Sequence, residues 1–163
     1  MFDLPSISGW AGLHPGISHF PIALLLAAPV LVLVGLLSQK QRHSLIPVAV
    51  WLMLAGTVGI YLSAASGDAA KLLAPQTPEI LKAIEVHETL GSVARVVFTV
   101  LTVLLAGLEY GPRLFKKQLG PRTVMLLTAA FLVVYIAAGL ILLNAAHSGG
   151  LLVHKLGVHA KMV

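Results

Sequence analysis

Seven histidines stand out in a chain with six carboxylate side chains and no cysteine. A neutral imidazole nitrogen is the commonest protein ligand for metals. Without cysteine there is no disulfide, no thiolate site, no iron–sulfur ligation and no c-type haem attachment. Six of the histidines, His14, His19, His87, His147, His154 and His159, fall at ends of apolar stretches that an alternating chain brings to one side. His43 lies in a basic segment and reads as an ordinary solvated residue.

His19 and His87 differ from the others in the small residues one and two turns beyond them. Residues four and eight apart share a helical face. Ala23 and Ala27 come after His19, and Gly91 and Arg95 come after His87. Two histidines above small residues on diagonal helices would flank a flat apolar slot, the shape a b-type haem requires. His19 and His87 would be the axial ligands, and Arg95 would face a propionate. The small residues also fit plain helix packing, as Gly56 and Gly59 do in another stretch. Arg95 has two competing partners, Glu88 and a carbonyl at a helix end.

A second chemistry is open. His14, His19, His87, Glu88, His154 and His159 offer nitrogen and oxygen ligands for Zn²⁺ or Cu²⁺. No spacing among them matches a compact site, and His14 and His19, five apart, are off one helical face. For His14, His147, His154 and His159 a wet interfacial position competes with ligation. His14 precedes Pro15, which biases it away from helix and into a loop above the bundle. A proton relay would need carboxylates at mid-membrane; Tyr135 and Asn144 are the only polar hints in the last apolar stretch.

The elements that position these residues can be read from composition. Of 163 residues 58% are hydrophobic and 10% charged, and the mean hydropathy is +0.94. So few charges cannot cover a soluble fold, so a soluble enzyme and a disordered chain are excluded. Four stretches, about 20–38, 44–65, 89–108 and 123–146, are long enough to cross a bilayer. The N-terminus has no basic start and its first stretch exceeds a signal-peptide core, so it reads as a span. Short connections make neighbours antiparallel. A longer one carries an amphipathic helix from Pro78 to Glu85. Ser148-Gly149-Gly150 is expected to end the last helix and turn the tail back.

Lys40, Arg42, Arg113, Lys116, Lys117 and Arg122 gather in the first and third connections. By the positive-inside rule these face the cytoplasm and both termini face outward. The net charge of +5 is therefore a topology signal, and no nucleic-acid partner is expected. The expected fold is all-α: one domain, 1–163, an integral-membrane four-helix up-down bundle, N-out/C-out, with no internal repeat.

The run His14-Pro15-Gly16-Ile17-Ser18-His19-Phe20-Pro21-Ile22-Ala23-Leu24 resembles the signature, HP, three residues, then HFPIAL, of a widespread, largely uncharacterised family of small four-helix bacterial membrane domains. The resemblance continues through Trp51, Ser66-Gly67-Asp68, His87-Glu88 and the segment from Gly149 to His159. Relatives often carry Tyr where this chain has His154, and some carry His where it has Leu156, so the tail histidines match poorly. Such domains occur fused to Rieske-type or cytochrome c domains, which implies a redox neighbourhood.

The expected function is membrane electron transfer in the bacterial cytoplasmic (inner) membrane, with haem b near the outer face and an outer-side Rieske-type or cytochrome c partner. A Zn- or Cu-binding membrane protein and a cofactor-free structural subunit are the alternatives. Homo-oligomers fit any of them.

Overall fold

The computed structural model describes residues 9–116 and 119–158. A single helical turn, α1 (Gly9–Gly12), precedes four long helices: α2 (His14–Leu37), α3 (Gln39–Lys71), α4 (Pro78–Leu114) and α5 (Pro121–His154). All four long helices are apolar enough to cross a membrane. Helices meet that requirement because every main-chain polar group in hydrocarbon must be satisfied within the protein. Each neighbour in the ring α2–α3–α4–α5 packs on the next, and α5 closes on α2. α2 and α4 are thus diagonal, as the up-down bundle predicts.

The helices run further than hydropathy suggests. α2 begins at His14 rather than near residue 20, because Pro15 lies in the first turn, where a missing N–H leaves no bond unmade. Only Ser38, in extended conformation, separates α2 from α3, so Lys40, Arg42 and His43 are helical. The amphipathic segment from Pro78 is the first part of α4, capped by Thr77, whose hydroxyl accepts from the Ile80 N–H. Ser148-Gly149-Gly150 does not end the last helix: α5 continues to His154. The chain reverses later, where Gly157 takes a φ of +64° and the Val158 N–H returns to the Leu152 carbonyl.

The middle of the bundle is filled. Leu25, Met53, Phe98, Leu105 and Tyr135 are buried together, with the Phe98 and Tyr135 rings 5.4 Å apart in an edge contact. α2 and α3 approach closely at two glycines. A Cβ on Gly56 would lie 2.7 Å from Leu25 Cγ, and one on Gly59 would lie 3.0 Å from the Pro21 ring. Gly56 and Gly59 are therefore packing glycines. Polar side chains tie the other faces. Thr102 donates to the Phe98 carbonyl at 2.7 Å and accepts from Thr57 at 2.8 Å, joining α3 to α4. Arg42 donates to Thr128 at 3.2 Å, joining α3 to α5 near Ser38.

A smaller apolar cluster caps the histidine end. Ala74, Ile80, Ile84 and Leu152 are buried there, with Leu156 and Val158 packed on them. It anchors the start of α4 to the end of α5.

Candidate functional site

The first residue of α2 and the tenth of α4 meet across the diagonal. The His14 and His87 rings have centroids 6.4 Å apart and planes at 78°. Both rings are half-buried. Each is pinned by the helix that packs beside it in the same hairpin.

His14 Nδ1 lies 3.0 Å from the Ser63 carbonyl and 3.1 Å from Ser66 Oγ, both on α3. Ser66 spends its own hydroxyl hydrogen on the Ser63 carbonyl, at 3.0 Å. His87 repeats the pattern on α5: Nδ1 is 3.1 Å from the Ala145 carbonyl and 2.9 Å from Ser148 Oγ. Ser148 donates to the Ala145 carbonyl at 2.8 Å. A carbonyl only accepts, and each serine hydrogen is already committed. Nδ1 must therefore be the donor in both rings, and in each neutral ring Nε2 keeps the lone pair. The two nitrogens with ligand character are equivalent.

Glycine seats both rings. A Cβ at Gly67 would be 3.0 Å from His14 Cε1, and a Cβ at Gly149 would be 3.0 Å from His87 Cε1. A Cβ at either position would press on the ring, which would have to give by a few tenths of an ångström.

The diagonal helices are those expected, but the α2 residue is different. His19 is exposed, and its Nδ1 donates to the Pro15 carbonyl of its own helix. Ala23 and Ala27, on the same stripe, are exposed as well, while Pro21, Leu25, Ala28 and Val32 form the buried stripe of α2. Pro21 and Leu25 seal against Gly59 and Gly56, which fixes the rotation of α2 and turns the His19 stripe outward. His14 is helical and inward-facing, not in a loop.

Gly91 has no atom within 4 Å of a Cβ position and borders open space. Arg95 is half-buried and lies over the Tyr61 ring of α3, 5.7 Å from its centroid, with Ser92 accepting at 3.4 Å. Glu88 does not pair with Arg95; its carboxylate meets Lys71 at 2.7 Å. His147 and His154 are exposed on α5, and His43 is exposed on α3. His159 lies outside the described residues. Among the described residues, no three of His, Asp and Glu gather as a metal-ligand group, so the Zn or Cu set of His14, His19, His87, Glu88 and His154 is not assembled.

Sequence reasoning passed over Ser66, Gly67, Ser148 and Gly149 as site residues. Their signal is a Ser-Gly pair near the end of each helix that comes after a histidine-bearing one.

Residues 11–162 match the family described as "Predicted membrane protein (DUF2231)", and the chain belongs to it. No curated protein and no solved structure matches the chain.

Proposed function

We propose that this DUF2231 protein is a membrane electron carrier that holds one redox-active iron, as a b-type haem, between His14 and His87 near the outer face of the bilayer. The observation that carries this reading is the pair of imidazoles, centroids 6.4 Å apart, each with Nδ1 tied back to a carbonyl and the lone pair left on Nε2. Metal–imidazole bonds of about 2 Å would hold two opposed ring centroids about 6 Å apart, the spacing of this pair. Two protein ligands do not make a structural zinc site, which takes four. They do suit haem iron, whose other four ligands belong to the porphyrin.

The donor chemistry fits the group. The middle of the bundle, which Leu25, Phe98 and Tyr135 fill, leaves no room for it, so the ring would have to be taken up at the level of His14 and His87 themselves. When bound, the group supplies one-electron chemistry. The protein's own part is to hold both imidazoles neutral and oriented. With the group at the outer end, the donor or acceptor is an outer-side redox protein, of the Rieske or cytochrome c kind.

The test is the absorption spectrum of the chain purified with haemin supplied. A Soret band with sharp reduced α and β bands, lost in both His14→Ala and His87→Ala and kept in His19→Ala, supports the reading. A colourless protein that retains Zn or Cu, or neither, overturns it.

A further inference from the structure

The two ends of the His14–His87 contact are built alike, although the sequence shows no repeat. In each hairpin a histidine in the first part of one helix reaches a Ser-Gly pair near the end of the next. Both serines sit three residues after the carbonyl that they and the imidazole share. Both glycines leave the same 3.0 Å clearance at Cε1. The residue that supplies the carbonyl differs, Ser63 in one half and Ala145 in the other, which is harmless because only the main chain is used. The histidine-to-serine spacing is 52 residues in the first half and 61 in the second. That difference of nine hides the correspondence from a fixed-period search.

We propose that Ser66 and Ser148 are positioning residues that hold the paired imidazoles in the Nδ1-protonated form, so that the two hairpins present equivalent Nε2 lone pairs to one electrophilic centre. This deepens the metal-holding reading and rests on it for the identity of that centre, but the hold on the rings exists without it. Each hydroxyl acts in two ways. It accepts from Nδ1, adding to the carbonyl. By donating to that same carbonyl, it also keeps its own oxygen turned toward the ring. Partners of this kind fix the ring and raise its basicity as a ligand. Because the halves match, each serine should matter to its own ring and to about the same extent.

Ring-nitrogen NMR of the full chain, labelled with ¹⁵N-histidine in nanodiscs and free of any added group, reads the protonated nitrogen directly. Wild type should show His14 and His87 protonated at Nδ1. Ser66→Ala should move the His14 signals toward a mixture of tautomers and leave His87 in place, and Ser148→Ala should do the reverse. Ser66→Thr and Ser148→Thr, which keep the hydroxyl, should restore the wild-type pattern. Titration with haemin should then show each alanine variant binding about 10- to 100-fold more weakly, with similar losses at the two positions.

Wild-type rings protonated at Nε2, or alanine variants with unchanged ring signals, overturn the positioning role. A change confined to one half overturns the equivalence. Wild type that holds the Nδ1 form but does not bind haemin supports the hold on the rings and defeats the haem reading alone.

Discussion

Tyr135 donates its phenolic hydrogen to the main-chain carbonyl of Leu25 at 2.8 Å, from α5 across to α2. In a regular helix that carbonyl would accept from the N–H four residues on. Here that residue is Pro29, which has none. The tyrosine replaces a bond that the proline removes, in the buried core of the bundle.

Tyr135→Phe should therefore leave the Leu25 carbonyl unpaired and destabilise the bundle by about 1–3 kcal/mol. Pro29→Ala restores an N–H to α2 and should make the same tyrosine replacement nearly neutral. Reversible unfolding in mixed micelles across the four-member cycle measures the coupling. Equal losses in both backgrounds would show that Tyr135 acts through packing alone.

The glycine seats separate from ordinary helix glycines. Gly67→Ala and Gly149→Ala place a methyl 3.0 Å from an imidazole carbon, and each should reduce haemin retention and destabilise the bundle by about 1–3 kcal/mol. Gly91→Ala meets nothing within 4 Å and should be neutral or stabilising by up to about 1 kcal/mol. Thermal unfolding and the Soret absorbance of the three variants make the comparison. A Gly91→Ala variant that loses haem as readily would restore the slot between α2 and α4.

His14 and His19 give the sharpest contrast at the site. His14→Ala should abolish low-spin haem and His19→Ala should leave the spectrum unchanged, while both proteins remain inserted, since insertion depends on span hydrophobicity. Spectra of membranes normalised to protein content test this. Loss of haem from the His19 variant alone would return that residue to the site.

By the positive-inside rule the lysine and arginine distribution predicts both termini outside. A periplasm-dependent reporter should be active after residue 158 and inactive in the connection after α4, which begins with Phe115 and Lys116 just past Arg113 in the last turn of the helix. The opposite pattern would put the histidine pair on the cytoplasmic side and exclude an outer-side redox partner.

The spans, their count and their antiparallel order were legible in the sequence because hydropathy is a property of whole segments. So was the gathering of histidines at one end, since helix order alone dictates it. The rotation of α2 was not. It depends on Gly56 and Gly59 drawing Pro21 and Leu25 inward, a contact between helices that no periodicity within α2 reveals. The same rotation carried His14 in and His19 out. Pre-proline bias misplaced His14 because it ignores the tolerance of a first helical turn for proline. The serine partners escaped notice because Ser-Gly reads as a helix terminator. Here the glycine is instead the seat for a ring from another helix, so α5 runs on to His154.

The unequal helix ends set how deep the histidine pair stands below the rim of the bundle. Beyond the site, α3 continues for five residues (66 to 71), α4 begins nine residues earlier (78 to 87) and α5 continues for six (148 to 154). At a rise of about 1.5 Å per residue these projections stand roughly 8–13 Å past the rings, whereas α2 itself starts at His14 and only the single turn α1 precedes it, packed on α3. The imidazole pair therefore stands below the rim that α3, α4 and α5 make, with α1 against α3 beside it.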